Sequence, residues 1–168
     1  MLIFLDTEFT DLLDPVLISL GMVAEGGQEL YLEVPFPIEK CTTFVKEAVL
    51  PHLGRKPNAA CTEFEVRSRV LTWIETIRRP QEEVVVCVDN QIDIDLLYNA
   101  LDYRLPGWMA CCLIGHDVNP SLINLFFAES GLPRHHALHD ARANRYAYRP
   151  RTTSPITLER RDERAMEE

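Results

Sequence analysis

Acidic residues in two short segments carry much of the chemistry that this sequence offers. Asp6 and Glu8 occur in DTEFT, two positions apart at the end of an apolar run. Because side chains alternate along a strand, both carboxylates point to one face of the sheet. Buried acids are costly unless they are hydrogen-bonded, paired or bound to a cation. The pair therefore indicates a metal site, with a satisfied pair of core acids as the alternative.

Further carboxylates lie far away in the sequence. Asp93 follows a second apolar run, in DNQIDIDLL, with Asp89 and Asp95 as nearby competitors, and Asp140 ends the segment RHHALHD. Two divalent cations about 3.5–4 Å apart need several carboxylate oxygens from different segments. One acid near position 93 and Asp140 would complete such a set with the first pair.

Three histidines precede Asp140, at positions 135, 136 and 139. Imidazole accepts a proton near neutral pH and also binds zinc. One histidine could therefore serve as a general base beside a metal site built from acids. Alternatively, all three could hold one zinc ion in a hydrolase, but this leaves Asp6 and Glu8 without a role. The spacing HHxxH also lacks the glutamate that zinc proteases carry between their histidines.

The segments that must position these side chains predict an α/β domain with a mixed five-stranded sheet. Thr62 and Glu65 resemble a capping box at the start of the helix predicted at 62–79. Phe64 is among the apolar residues that recur at helical spacing in this helix. Apolar runs predict strands, and periodicity or capping signals predict helices. The strands are 2–6, 15–23, 29–34, 82–89 and 108–115, and the helices are 39–50, 62–79, 93–101, 119–131 and 135–148.

Composition favours one compact domain over residues 1–150, because 46% of the 168 residues are hydrophobic. The charged tail at 151–168 lacks an apolar stripe and is predicted to be loosely ordered. No apolar run reaches the roughly 20 residues of a membrane span, and the first residues do not predict a signal peptide. Five cysteines without a CxxC pair predict buried thiols in a cytoplasmic protein.

Charge is unevenly distributed along the chain. The net charge of −9 argues against a passive nucleic-acid coat protein. However, the stretch from Arg134 to Arg151 contains five arginines and a single acid. Arginine is well suited to phosphate, although a solvated helix face would show the same charges. The spacing of Arg142, Arg145 and Arg149 predicts phosphate contacts along one helix.

The segments DTEFT, DIDLL and HHALHDA, in this order, resemble the three motifs of the DEDD superfamily of DnaQ-like 3′-to-5′ exonucleases. The spacing H-x4-D in the last segment is that of the histidine subtype. IFLDTEFTDL and HHALHDARA are similar to small bacterial and phage 3′-to-5′ exoribonuclease domains. The resemblance covers residues 2–148 and implies a ribonuclease H-like fold.

The resemblance also implies a reaction and its residues. Two Mg²⁺ or Mn²⁺ ions would be bound by four acids, and His135 would be the general base. The enzyme would hydrolyse single-stranded 3′ ends, RNA in preference to DNA, to nucleoside 5′-monophosphates. We also expect a homodimer that does not enter a membrane. The metal ligands are Asp6, Glu8, Asp93 and Asp140, of which Glu8 is also catalytic, and the predicted substrate contacts are Thr7, Phe9, Thr10 and Arg142.

Two departures from the family pattern affect these assignments. Phe9, Thr10 and Asp11 stand where many relatives have Thr-Thr-Gly or Met-Thr-Gly. Asp89 and Asn90 precede Asp93, where many relatives have His-Asn. We favour Asp93 because the leucines at 96 and 97 match the apolar pair of the family motif. The alternatives are a DNA exonuclease of the same fold and an inactive nucleic-acid-binding module, although all five catalytic positions are occupied.

Overall fold

The computed structural model describes residues 1–150; the predicted tail at 151–168 lies outside them. The described chain alternates strands and helices in the order β1–β3, α1, α2, β4, α3, β5, α4, α5. The strands are β1 (Leu2–Phe9), β2 (Leu17–Ala24), β3 (Glu29–Glu33), β4 (Val84–Val88) and β5 (Met109–Leu113). The helices are α1 (Thr43–Ala48), α2 (Glu63–Ile77), α3 (Gln91–Ala100), α4 (Pro120–Ser130) and α5 (Ala137–Ala147).

The strands of the described residues form one mixed sheet in the order β3-β2-β1-β4-β5. β1 pairs antiparallel with β2 and parallel with β4, so the strand that carries DTEFT lies at the centre. β2–β3 is antiparallel and β4–β5 is parallel. The predicted mixed five-stranded sheet and its element order are confirmed.

Apolar side chains on both faces of the sheet bury it between two layers of helices. Ile3 and Leu5 of β1 belong to a core cluster that includes Val70 and Ile74 of α2 and Leu97 of α3. On the other face, α5 packs over β1 and β2, and α4 packs against α5. Side chains alternate along β1, so the face that carries Asp6 and Glu8 is the face that α5 covers.

Two local predictions were wrong. The segment 39–50 is not one helix, because Thr42 caps a new start by accepting a hydrogen bond from the Val45 N–H, 3.2 Å. Pro51 then has no N–H to donate to the carbonyl four residues earlier, and the chain forms a 3₁₀ turn at Leu50–His52. In α2, Phe64 is 95% exposed, since it lies in the first turn, whereas Val66, Val70 and Ile74 face the core. The capping box at the start of α2 is confirmed.

The five cysteines are buried, as predicted. Within residues 1–150, no helix is both long and apolar enough to cross a bilayer.

Candidate active site

A glycine on β2 allows the last helix to approach the acids of β1. Gly21 pairs with Asp6 across the β1–β2 ladder. A Cβ atom at Gly21 would overlap the backbone of Ala137 and Leu138, in the first turn of α5. Glycine therefore permits close contact between sheet and helix. This contact brings Asp140, one turn into α5, to Asp6 and Glu8.

The backbone before α5 fixes the orientation of Asp140. His136 is the residue that precedes the helix, and its N–H donates to Asp140 Oδ2 at 2.9 Å. The carboxylate thus satisfies one of the free N–H groups at the helix start, where the helix dipole also favours negative charge.

Asp93 reaches the same region from α3. Asn90 caps this helix by accepting from the Ile92 N–H at 3.1 Å, so the helix begins two residues earlier than predicted and Asp93 lies in its first turn. Its Oδ1 accepts two hydrogen bonds from Thr7, from the N–H at 3.0 Å and from the hydroxyl at 2.6 Å. Thr7 is buried, so this pair connects β1 directly to α3.

The acids form two groups of three that share one member. Carboxylate oxygens of Asp6, Glu8 and Asp140 lie within 4.8 Å of one another, and so do those of Asp6, Asp89 and Asp93. Carboxylate oxygens are the ligands that Mg²⁺ and Mn²⁺ prefer. The four predicted ligands therefore come together, Asp89 joins them, and the donor set fits two hard divalent cations that share Asp6.

Burial and mutual repulsion make these acids hard to ionise without a cation. Desolvation is the main cause that raises the pKa of Asp6, Glu8, Asp93 and Asp140, and for Glu8 the pKa reaches about 8. For Asp93 the pKa is raised to about 7, although the hydrogen bonds from Thr7 oppose the shift. Repulsion from neighbouring carboxylates adds to the shifts of Asp6 and Glu8. Bound cations would remove this cost, which supports the fit of the donor set to metal.

The three histidines have different environments. His135 is exposed, and its ring lies edge-on to Phe44 of α1 with centroids 4.9 Å apart. Its backbone is left-handed at φ 59°, a conformation that costs energy in any residue except glycine. By contrast, His136 is buried and stacked between Tyr31 and His139, with centroids 4.4 and 4.0 Å away.

The buried pair does not resemble a zinc site. Desolvation is the main cause that lowers the pKa of His136, to about 4, so its imidazole is neutral and packs as part of the core. The carbonyl of Pro133 lies 3.1 Å from His139 Nδ1. In the described part of the chain, the groups of three or more close metal-ligating side chains contain carboxylates alone.

The predicted substrate contacts lie in several places. Phe9 is half-buried at the end of β1, where a bulge ends the regular pairing with β2. Thr10 is buried, and its hydroxyl accepts from the Val16 N–H at 3.1 Å. Arg142 makes a two-pronged ion pair with Glu29, at 2.7 and 2.6 Å. Thr7 holds Asp93, as described above. The charge of Arg142 is therefore paired with Glu29 and not with the acids of the candidate site.

Sequence reasoning missed three contributors to the site. Gly21 interrupts the apolar strand LISLGMVA, and a glycine in such a strand is a recognised signal for close backbone approach. Phe44 belongs to a short helix without a motif, so nothing in the sequence connects it to His135. Arg134 was counted among the arginines of its segment, but among those within residues 1–150 it alone lines a cavity of about 370 Å³ beside Asp6 and Asp140.

Comparisons with known proteins identify the fold. No protein-family model matches the sequence, and no curated protein matches it significantly. A solved structure that resembles the chain is the nuclease domain of 3′hExo, a DEDDh family member, bound to rAMP. The match covers 86% of this chain and 87% of that domain, with a TM-score of 0.56 and 13% sequence identity. The chain therefore has the ribonuclease H-like fold, with its acidic residues gathered beside the central strand.

Proposed function

We propose that this protein is a metal-dependent 3′-to-5′ exonuclease that hydrolyses single-stranded nucleic acid, RNA in preference to DNA, to nucleoside 5′-monophosphates. It would belong to the histidine subtype of the DEDD superfamily, near the small bacterial and phage exoribonuclease domains. The observation that carries this proposal is the sharing of Asp6 by two groups of carboxylates. One shared acid between two cation sites is suited to a two-metal hydrolysis of a phosphodiester.

Two Mg²⁺ or Mn²⁺ ions are the proposed cofactors. Asp6, Glu8 and Asp140 would hold one ion, and Asp6 with Asp93 and Asp89 would hold the other. When bound, the ions supply positive charge for the attacking and leaving oxygens of the displacement. The protein's own part is to hold these carboxylates close together although they repel one another. Rigid elements such as β1 and α5 are needed to hold them in place.

His135 is the proposed general base. It is exposed, lies five residues before Asp140, and is the one member of the histidine cluster that packing leaves accessible. Its ring rests edge-on against Phe44 of α1. A histidine in this place would accept a proton from the attacking water.

The preference for RNA rests on two similarities. The motifs resemble exoribonuclease domains, and the 3′hExo nuclease domain was solved with rAMP bound. A DNA exonuclease of the same fold is the alternative, since discrimination depends on contacts to the 2′-hydroxyl. Substrate contacts at Phe9, Thr10 and Arg142 belong to this proposal, with Arg142 acting only if substrate displaces Glu29.

We also propose that residues 1–150 form a single exonuclease domain, located in the cytoplasm, that associates as a homodimer. The buried cysteines, which include no CxxC pair, support a reducing compartment. Leu13 and Phe64 are 97% and 95% exposed, and exposed apolar side chains support an association surface. Light scattering at micromolar concentration should give twice the monomer mass; a monomer would contradict the homodimer.

The decisive experiment uses 5′-labelled single-stranded RNA and DNA of identical sequence, incubated with Mg²⁺, Mn²⁺ or EDTA. We expect stepwise shortening from the 3′ end, faster on RNA, released nucleoside 5′-monophosphate, and no reaction in EDTA. The Asp6→Asn variant is the control for contaminating nuclease. Hydrolysis that persists in EDTA or in this variant, or its absence with both metals, would refute the proposal.

A further inference from the structure

A cavity of about 370 Å³ opens beside the acids, between β1, α4 and α5. Asp6, Asp89 and Asp140 contribute carboxylates to its wall. Among the described residues that line it, Arg134 is the single cationic side chain. A positive charge directly beside the proposed metal ligands needs an explanation, because it would repel the cations.

The side chain of Arg134 is held in place by α4. Its Nη2 donates to Asn124 Oδ1 at 2.7 Å, and its guanidinium lies over the ring of Phe127, 4.4 Å from the centroid. Phe127 is itself buried at 8% exposure, so the ring is a fixed platform. A guanidinium has five N–H donors, and Asn124 engages one nitrogen, so other donors stay free.

Arg134 forms no ion pair with an acid among residues 1–150. Asp140 is nevertheless near enough for the charge of Arg134 to favour the ionised carboxylate. By contrast, Arg142 of α5 is paired with Glu29. The charge of Arg134 is therefore available at the edge of the cavity, whereas the charge of Arg142 is paired with Glu29.

We infer that Arg134 binds a phosphate of the substrate strand next to the phosphodiester that is hydrolysed. This inference rests on the proposed function. The metals held by the acids would bind the scissile phosphate. Arg134 lies beside those acids and is anchored to α4. Its planar donors match two phosphate oxygens, and its stacked, hydrogen-bonded side chain loses little freedom on binding.

The test compares two substrates that differ in this phosphate. An oligoribonucleotide has phosphates beyond the scissile one, whereas thymidine 5′-monophosphate p-nitrophenyl ester has a single phosphodiester. Arg134→Gln and Asn124→Ala are measured on both. Arg79→Gln is the matched control, because Arg79 is an exposed arginine beyond the end of α2 and outside the cavity.

We expect Arg134→Gln to reduce kcat/KM for the oligoribonucleotide about tenfold more than for the ester, as loss of one charge-assisted contact predicts. The change should lie mainly in KM, and the salt dependence should become shallower. Asn124→Ala should show a smaller effect of the same kind, and Arg79→Gln should match the unmodified protein.

Two results would overturn the inference: equal losses on both substrates, which would place Arg134 in the chemical step or the fold, and no loss on either substrate. Melting temperatures of all variants separate a folding defect from a binding defect. Inactivity of the unmodified protein on both substrates would overturn the proposed function itself, and the inference with it.

Discussion

The peptide N–H and the hydroxyl of Thr7 both donate to the same carboxylate oxygen of Asp93. The two residues are 86 positions apart, and Thr7 is flanked by Asp6 and Glu8. The backbone that presents the first two acids therefore also orients the third. Because the hydrogen bonds favour the ionised carboxylate, they oppose the burial that raises the pKa of Asp93.

Removing the Thr7 hydroxyl should weaken metal binding. Thr7→Val keeps the shape of the side chain but loses the shorter of the two hydrogen bonds, so Asp93 is less fixed and harder to ionise. We expect the metal concentration for half-maximal activity to rise about tenfold, the value of one charged hydrogen bond. Thr7→Ser, which keeps the hydroxyl, is the control. Equal metal requirements in the two variants would contradict this role.

Asp93 should matter more than Asp89. Both lie near Asp6, but Asp93 is buried and held by Thr7, whereas Asp89 is exposed. Asp93→Asn should therefore reduce kcat by at least about a hundredfold, and Asp89→Asn by less than about tenfold. Steady-state hydrolysis of the labelled oligonucleotide at saturating metal measures both. The reverse order would assign the ligand role to Asp89.

The metal-free protein should lose stability as the pH rises. Burial raises the pKa of Glu8 from its ordinary value of 4.5 to about 8, so between these values the folded state retains a proton that the unfolded chain releases. The free energy of unfolding therefore falls over this interval and is highest on the acid side. Asp93, with a pKa raised to about 7, adds to the same trend.

Glu8→Gln isolates this effect. In EDTA, the variant should melt a few degrees above the unmodified protein at about pH 8, and the difference should vanish well below the ordinary pKa of 4.5, where Glu8 is neutral in both states. The same variant should lack hydrolytic activity. Thermal melts across the pH range decide the matter; a metal-free melting temperature that rises from acid to neutral pH would contradict the burial of these charges.

Two substitutions of His135 separate its imidazole from its backbone. His135→Ala and His135→Gly both remove the proposed base, so both should reduce turnover by about 10²–10⁴. Because φ is 59°, glycine should be the more stable of the two, by about 1 kcal/mol. Urea unfolding measures the difference. Greater stability of the alanine variant would argue against the left-handed backbone.

Gly21→Ala should prevent α5 from docking on the sheet. Its Cβ would overlap backbone atoms of Ala137 and Leu138, which cannot rotate away. We expect a loss of at least about 3 kcal/mol in the free energy of unfolding, together with loss of activity. Gly107→Ala is the matched control, since no atom lies within 4 Å of a Cβ built there. Circular dichroism melts and the hydrolysis assay compare the two.

The sequence was sufficient for the sheet and its acids because those signals are local. The apolar runs around β1 and β4 are short and bounded, and the spacing of Asp6 and Glu8 defines a strand face. Asp93 and Asp140 could be assigned by resemblance, and the structure brings all four carboxylates together.

Other features depend on tertiary contacts that no local pattern reports. The ion pair of Arg142 with Glu29 joins residues 113 positions apart, so helical spacing alone suggested a phosphate contact. The contact of Phe44 with His135 also joins residues far apart in the sequence. The helix predicted at 39–50 failed for a local reason, since Thr42 and Pro51 divide it.

The central place of β1 has a consequence for how the molecule opens. Strand neighbours on both sides bond its backbone, so its amides should exchange with solvent only when the sheet as a whole separates. His135, by contrast, lies in an exposed turn outside any strand or helix. Local opening can therefore displace the histidine while Asp6 and Glu8 stay in place. The acids on β1 should therefore be the slowest part of the proposed site to open, and the proposed general base should be the fastest.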